Sequence, residues 1–218
     1  MNGNNEMKVE LLVWTPDPDR IAAIAMRSCH TVEPAHELIV DDEVVIKMVR
    51  AAKKVKHYSV LEHASFTFSI GGVSRALTHQ LVRHRMASYS QQSQRYVKLT
   101  GPTYVVPPGI RDAAGDDEKN VTFPHSLMFF EKTMEDAWDC YNMLVEKGVR
   151  PEDARFVLPN ACTTNIVITM NARELLHFFH LRCNIHAQWE IREMANKMLE
   201  KCREKAPVIF EGDPDEWE

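Results

Sequence analysis

The sequence predicts an α+β fold in a single domain over residues 1–218, and three observations lead there. Apolar residues recur at helical spacing in several stretches, most extensively over residues 123–147. Short β-branched or alternating runs at Lys8 to Trp14, Ala64 to Ile70 and Thr163 to Met170 have the character of strands. Strands and helices do not alternate as βαβ units, and neither a GxGxxG after a strand nor a GxxxxGK[ST] occurs, so no Rossmann unit or P-loop is expected.

Taken in order, Lys8 to Trp14 is a strand of large apolar residues that ends before Pro16. Asp17 to Cys29 is a helix with Ile21, Ile24 and Ala25 on one face. Asp41 to Lys56 is a second helix, with acids at its start and lysines at its end, as the macrodipole prefers. The strand Ala64 to Ile70 is expected to break at Gly71-Gly72. Val73 to His84 is a helix, followed by a Ser- and Gln-rich loop from Met86 to Gln94. Tyr96 to Leu99 and Thr103 to Val106 are short strands around Gly101-Pro102, and Pro107 to Val121 is loop. Phe123 to Lys147 is a long amphipathic helix stopped by Gly148, and Pro151 to Val157 is a short one. After the strand Thr163 to Met170, Asn171 caps a helix to Cys183, with Glu174 completing a capping-box-like pattern. Gln188 to Lys205 is the last helix, and residues 1–6 and 211–218 are expected to fray.

Composition bounds the class. Hydrophobic residues make up 44% and charged residues 26%, ordinary globular usage, and no run of about 18 apolar residues suggests a membrane span. Met1 to Glu10 has no apolar signal core, and the five cysteines are scattered with no CxxC pair. A cytoplasmic protein without a disulfide framework or a metal site is expected. The net charge of −5 argues against nucleic acid as a partner. Yet His63 to Arg111 contains no Asp or Glu while carrying Arg75, Arg83, Arg85, Arg95, Lys98 and Arg111. That is either an anion-attracting segment or a basic patch balanced elsewhere in the fold.

Three constellations stand out. The first is Arg83-His84-Arg85 with Ser88, Ser90, Gln91, Gln92, Ser93 and Arg95; Gln80 lies one turn before Arg83. Guanidinium groups with hydroxyls and amides suit a phosphate. Cations placed at a helix C-terminus are the plainer account of residues 83–85, but not of the acid-free loop ending in Arg95. The second is His57, Ser59, Glu62 and His63, as HxSxxEH before a strand; a capped turn with solvated histidines competes with a metal site that lacks a second ligand cluster. The third joins Arg155 in Arg-Phe-Val-Leu-Pro159 to Asn171, Arg173, His177 and Arg182. Asn171, Leu175, Phe178 and Arg182 share a helical stripe, and the helix start promises free amides for an anion or flavin carbonyls. The competing account pairs Arg182 with a structural acid such as Glu190.

These blocks resemble the flavin-dependent thymidylate synthase family. Its signature, RHR then seven residues then Ser, stands here as Arg83-His84-Arg85 and Ser93. HxSxxEH at His57 to His63, ARxVLP at Ala154 to Pro159, NAR at Asn171 to Arg173, and Leu181 to Arg192 follow the same pattern. The resemblance covers about His57 to Arg203. It implies the family's own fold, a homotetramer with active sites between subunits, and conversion of dUMP to dTMP. Tightly bound FAD is implied, with 5,10-methylenetetrahydrofolate as carbon donor and NADPH as reductant. Ser59, Arg83, His84, Arg85, Gln91, Asn171, Arg173 and His177 are implied for FAD. Gln80, Arg83, Gln91, Ser93, Arg95, Arg155 and Arg182 are implied for dUMP, with Arg182 and His57 as catalytic residues. Ser90, Gln91 and His177 stand where some members carry Asn, Glu and Asn. Cys183 matches no motif position, so no cysteine nucleophile is expected. A flavin reductase indifferent to dUMP, and a single-strand-binding module stacking bases on Tyr89 and Tyr96, are the two rival functions.

Overall fold

The computed structural model describes residues 6–97, 101–115 and 126–217. Lys98, Leu99 and residues 121–125 of the expected elements lie outside the described residues. In chain order the elements are β1 (Lys8–Trp14), α1 (Pro18–Ser28), α2 (Asp42–Lys54), β2 (Ser65–Ser74), α3 (Arg75–Leu81) and β3 (Ala87–Gln91). There follow α4 (Pro108–Gly115), α5 (Ser126–Glu146), α6 (Pro151–Ala154), β4 (Thr163–Asn171), α7 (Ala172–Cys183) and α8 (Trp189–Lys205). Four strands form one sheet in the order β1-β2-β4-β3, so the fold is α+β. Among the described residues no helix is long and apolar enough to cross a membrane.

Caps account for several boundaries. Asp41 accepts from the Val44 amide at 2.8 Å, Asn171 from Glu174 at 2.9 Å, and Gln188 from both Glu190 and Ile191 at 3.1 Å. Ser74 Oγ takes the Leu77 amide at 3.0 Å and opens α3, which is shorter than the helix expected over residues 73–84.

Four expectations are corrected. Gly71-Gly72 does not end β2, which continues to Ser74; a Cβ on Gly71 would come within 3.0 Å of Asn165 Oδ1, and Gly72 takes φ 72°. The glycines admit a close neighbour and a left-handed residue within a strand. The polar Met86 to Gln94 segment contains β3, paired at the sheet edge, because ladder bonds need no apolar alternation. Residues 108–115 are helical where loop is expected, and of Thr103 to Val106 only a single bridge forms, Tyr104 to Cys162.

By density of internal contacts the chain makes two compact units. Within the described residues, one gathers Gly71–His79 and Gln91–Asn165; Tyr104, Val106 and Met134 form its core with Ile110, Leu127 and Phe130. The other gathers Lys8–Ile70, Gln80–Ser90 and Ile166–Glu218. Its centre is aromatic: Phe66 meets Phe210 edge-on at 5.6 Å, and Phe179 meets Phe210 at 5.8 Å. Trp217 lies 6.4 Å from Phe179 and is 6% exposed. Glu211 to Trp217, expected to fray, is therefore packed against the unit. Arg50 and Glu211 form a forked pair, Tyr58 Oη donates to Trp217 O at 3.0 Å, and Asp19 takes the Val208 and Ile209 amides. A short run of acids hid a tryptophan that buries well.

Candidate functional site

The start of α7 opens onto a cavity of about 470 Å³. Asn171, Arg173 and His177, three residues singled out in the sequence, line it together. Tyr58, Glu62, Met86, Glu174, Leu176 and Trp217 complete the wall. Of these six only Glu62 stood in one of the constellations read from the sequence, and none was assigned to FAD or dUMP. Tyr58 and Glu62 lie inside the HxSxxEH block, which was signal enough; Trp217 arrives through the folded tail. His57 and Ser59 flank Tyr58 at the 3-10 turn Tyr58–His63, the histidine half-buried and the serine exposed.

The helix start offers fewer free donors than the sequence suggests. The Ala172 amide goes to Ala64 O at 2.7 Å, and the Glu174 amide to Asn171 Oδ1 at 2.9 Å. An anion here would rely on the Arg173 guanidinium, itself 2.6 Å from Glu62 Oε1 in an exposed pair. The apolar part of the wall, Met86, Leu176 and Trp217, suits a ring system.

Beside this cavity wall the RHR triplet divides. Arg83 and Arg85 are exposed, and among the described residues neither has an ion pair. His84 is 6% exposed and points inward. Its Nε2 accepts from Arg182 Nε at 3.1 Å, and its Nδ1 lies 3.5 Å from Glu174 Oε1. Its ring packs edge-on against Phe178 at 4.9 Å. Burial, then the nearby Arg182 and His177, hold the His84 pKa down at about 4. The bond of Arg182 is thus to an imidazole, where the sequence offered an acid such as Glu190. Burial also raises Glu174 above its ordinary carboxylate value.

In the other unit, Ser93, Arg95 and Arg155 gather around Glu152. Arg95 Nε is 3.1 Å from Glu152 Oε2, Arg155 Nε donates to Glu152 O at 3.0 Å, and Ser93 Oγ accepts the Arg95 amide at 3.2 Å. The segment has no acid of its own, but the fold supplies one. Gln91 Nε2 donates to Thr78 Oγ1 at 3.1 Å and to Thr164 Oγ1 at 3.3 Å. Gln80 is half-buried on α3. The Cys183 thiol is pushed up to about 12, first by burial, and its charged neighbours are Arg203, Asp215 and Asp213. A thiol so far from ionising is a poor nucleophile.

The family model described as thymidylate synthase complementing protein matches residues 10–208. A flavin-dependent thymidylate synthase of Geobacter sulfurreducens is 48% identical over 209 residues, covering 94% of this chain and 85% of that protein. Its counterpart in Clostridium tetani is 43% identical over 222 residues, with the same coverage of 94% and 85%. Among solved structures, the UMP/dUMP methylase PolB of Streptomyces cacaoi, bound with 5-Br dUMP, superposes with a TM-score of 0.82. That match has 26% identity and covers 95% of this chain and 94% of PolB. With the family model, the relatives and the five sequence blocks in agreement, the chain belongs to the flavin-dependent thymidylate synthase family.

Proposed function

We propose that this chain catalyses the reductive methylation of dUMP to dTMP, with 5,10-methylenetetrahydrofolate as carbon donor and NADPH as reductant through FAD. The observation that carries the reading is the cavity of about 470 Å³ where Asn171, Arg173 and His177 meet. Its size and its mixed cationic and apolar wall fit part of a dinucleotide cofactor. His57 and Ser59 flank a lining residue and belong to the same proposed site; Arg83, His84, Arg85 and Gln91 are the remaining residues the family pattern implies for FAD.

FAD, when bound, supplies hydride-transfer chemistry; the chain binds and polarises. Uracil C5 is a weak nucleophile. Arg182 anchors through Nε and keeps its terminal nitrogens for the pyrimidine edge, stabilising an electron-rich ring. Gln80, Arg83, Ser93, Arg95 and Arg155 take the nucleotide and its phosphate. No cysteine need attack the ring. A homotetramer with shared sites completes the reading, since neighbours add loops around two nucleotide-sized ligands. Exposed apolar side chains such as Phe156, Leu181 and Ile185 support burial against such neighbours.

The test is the visible spectrum of the purified protein, before and after dUMP, followed by a dTMP assay with both co-substrates. A flavin spectrum that dUMP perturbs, with dTMP formed, is expected. Folded protein that takes up no FAD, or that takes it up and makes no dTMP, overturns the reading.

A further inference from the structure

We propose that His84 is a positioning residue for Arg182, its neutral imidazole holding the guanidinium through Nε so that the terminal nitrogens are aimed at the ligand. The proposal rests on the thymidylate synthase reading only for what Arg182 then touches. The contact itself is on the page. Arginine has donors and no acceptor, so a 3.1 Å Nε to Nε2 bond requires an unprotonated Nε2. The ring proton must then sit on Nδ1, on the side of Glu174 at 3.5 Å. Nε2 is thus occupied within the chain, and Nδ1 faces the carboxylate of Glu174, a residue of the cavity wall.

One further contact fixes the ring, and others fix its backbone and its neighbour. Phe178 packs across it at 4.9 Å and 80°. Tyr89 Oη reaches the carbonyls of His84 and Leu81, each at 2.8 Å, and so pins the backbone. Glu174 is itself placed by the Asn171 cap on its amide. A cavity-wall residue, a buried imidazole and an arginine therefore form a series, Glu174 to His84 to Arg182. The low His84 pKa keeps the imidazole an acceptor at neutral pH. A protonated ring would repel Arg182 instead.

The test compares H84Q with H84N in the FAD-loaded enzyme. A glutamine carbonyl oxygen reaches about where Nε2 sits; an asparagine falls short. H84N is expected to lower kcat for dTMP on the order of 10²-fold, the scale of a small misplacement of an orienting group. Turnover should fall by a larger factor than flavin per protein, and H84Q should recover most of the lost turnover. Equal losses in H84Q and H84N, or a loss of flavin in place of turnover, would overturn the proposal. A second measurement does not depend on activity or on the variants' folding. Nitrogen-15 spectra of histidine-labelled parent enzyme should show His84 as the Nδ1–H tautomer across neutral pH. An Nε2–H tautomer or a charged ring would sink the contact. Parent enzyme that shows the Nδ1–H tautomer but makes no dTMP would leave the contact standing and refute the functional reading instead.

Discussion

Arg182 and Arg95 are both cations on which the proposed chemistry depends, and the chain treats them in opposite ways. Arg182 is half-buried and held by a neutral imidazole that is 6% exposed. Arg95 is exposed and paired with a carboxylate, Glu152, at 3.1 Å. A neutral acceptor fixes direction and leaves the positive charge intact. An anionic partner neutralises the charge until a stronger anion replaces it. The first arrangement suits a group that must be in place when charge develops on a ring. The second suits a phosphate clamp that exchanges one anion for another.

The sharpest way to break this comparison is Arg182→Ala. Loss of a preorganised donor should reduce dTMP formation by about 10²–10³, with the flavin-to-protein absorbance ratio unchanged. Lysine should rescue poorly, because a point charge lacks the planar fork. Near-parent turnover from a yellow Arg182→Ala enzyme would make the arginine structural and dissolve the contrast. Next in size is the aromatic tail that closes the same cavity. Trp217→Ala should cost about 3 kcal/mol in urea unfolding, as for a buried large-to-small change, and should loosen FAD. An unchanged midpoint would return the tail to the frayed state that its acids suggest.

The held-down His84 pKa gives a pH test with a definite sign. An unfolded histidine takes its proton near 6.5, whereas the folded one waits until about 4. Stability is therefore full above 6.5 and is lost as pH falls from 6.5 toward 4, by about 3 kcal/mol for this group. H84Q should flatten that part of the unfolding profile; an identical slope in parent and variant would count against a neutral His84. A smaller effect is expected at the other cation. Glu152→Gln releases Arg95 from an exposed pair of the kind worth about 0.2–1 kcal/mol, so the KM for dUMP should fall by a few-fold at most. A rise in KM would mean that Glu152 orients Arg95 instead of competing with the phosphate. Cys183→Ala should leave dTMP formation near the parent rate, and trapping dUMP on that sulfur by mass spectrometry would overturn a mechanism without cysteine.

Much of this was legible in the sequence, because it depends on neighbours along the chain. Lys8–Trp14 as β1, the acids at the start of α2, Asn171 as a cap, and Gly148 after the long helix follow from side-chain period, short-range hydrogen bonds and local dihedral preference. The five family blocks were legible too, since each is a run of consecutive residues. What the tertiary structure decided rests on partners distant in sequence. β2 runs through two glycines because Asn165 packs on one of them. A polar segment became β3 because a strand edge was available for its backbone. His84 and Arg182 stand 98 positions apart, and no local rule pairs an imidazole with a guanidinium over that distance. Their meeting depends on α7 laying Phe178 against His84 and on burial that keeps the ring neutral. Burial and the exchange of partners it forces are properties of the packed chain, so the sequence named the residues and packing assigned their contacts.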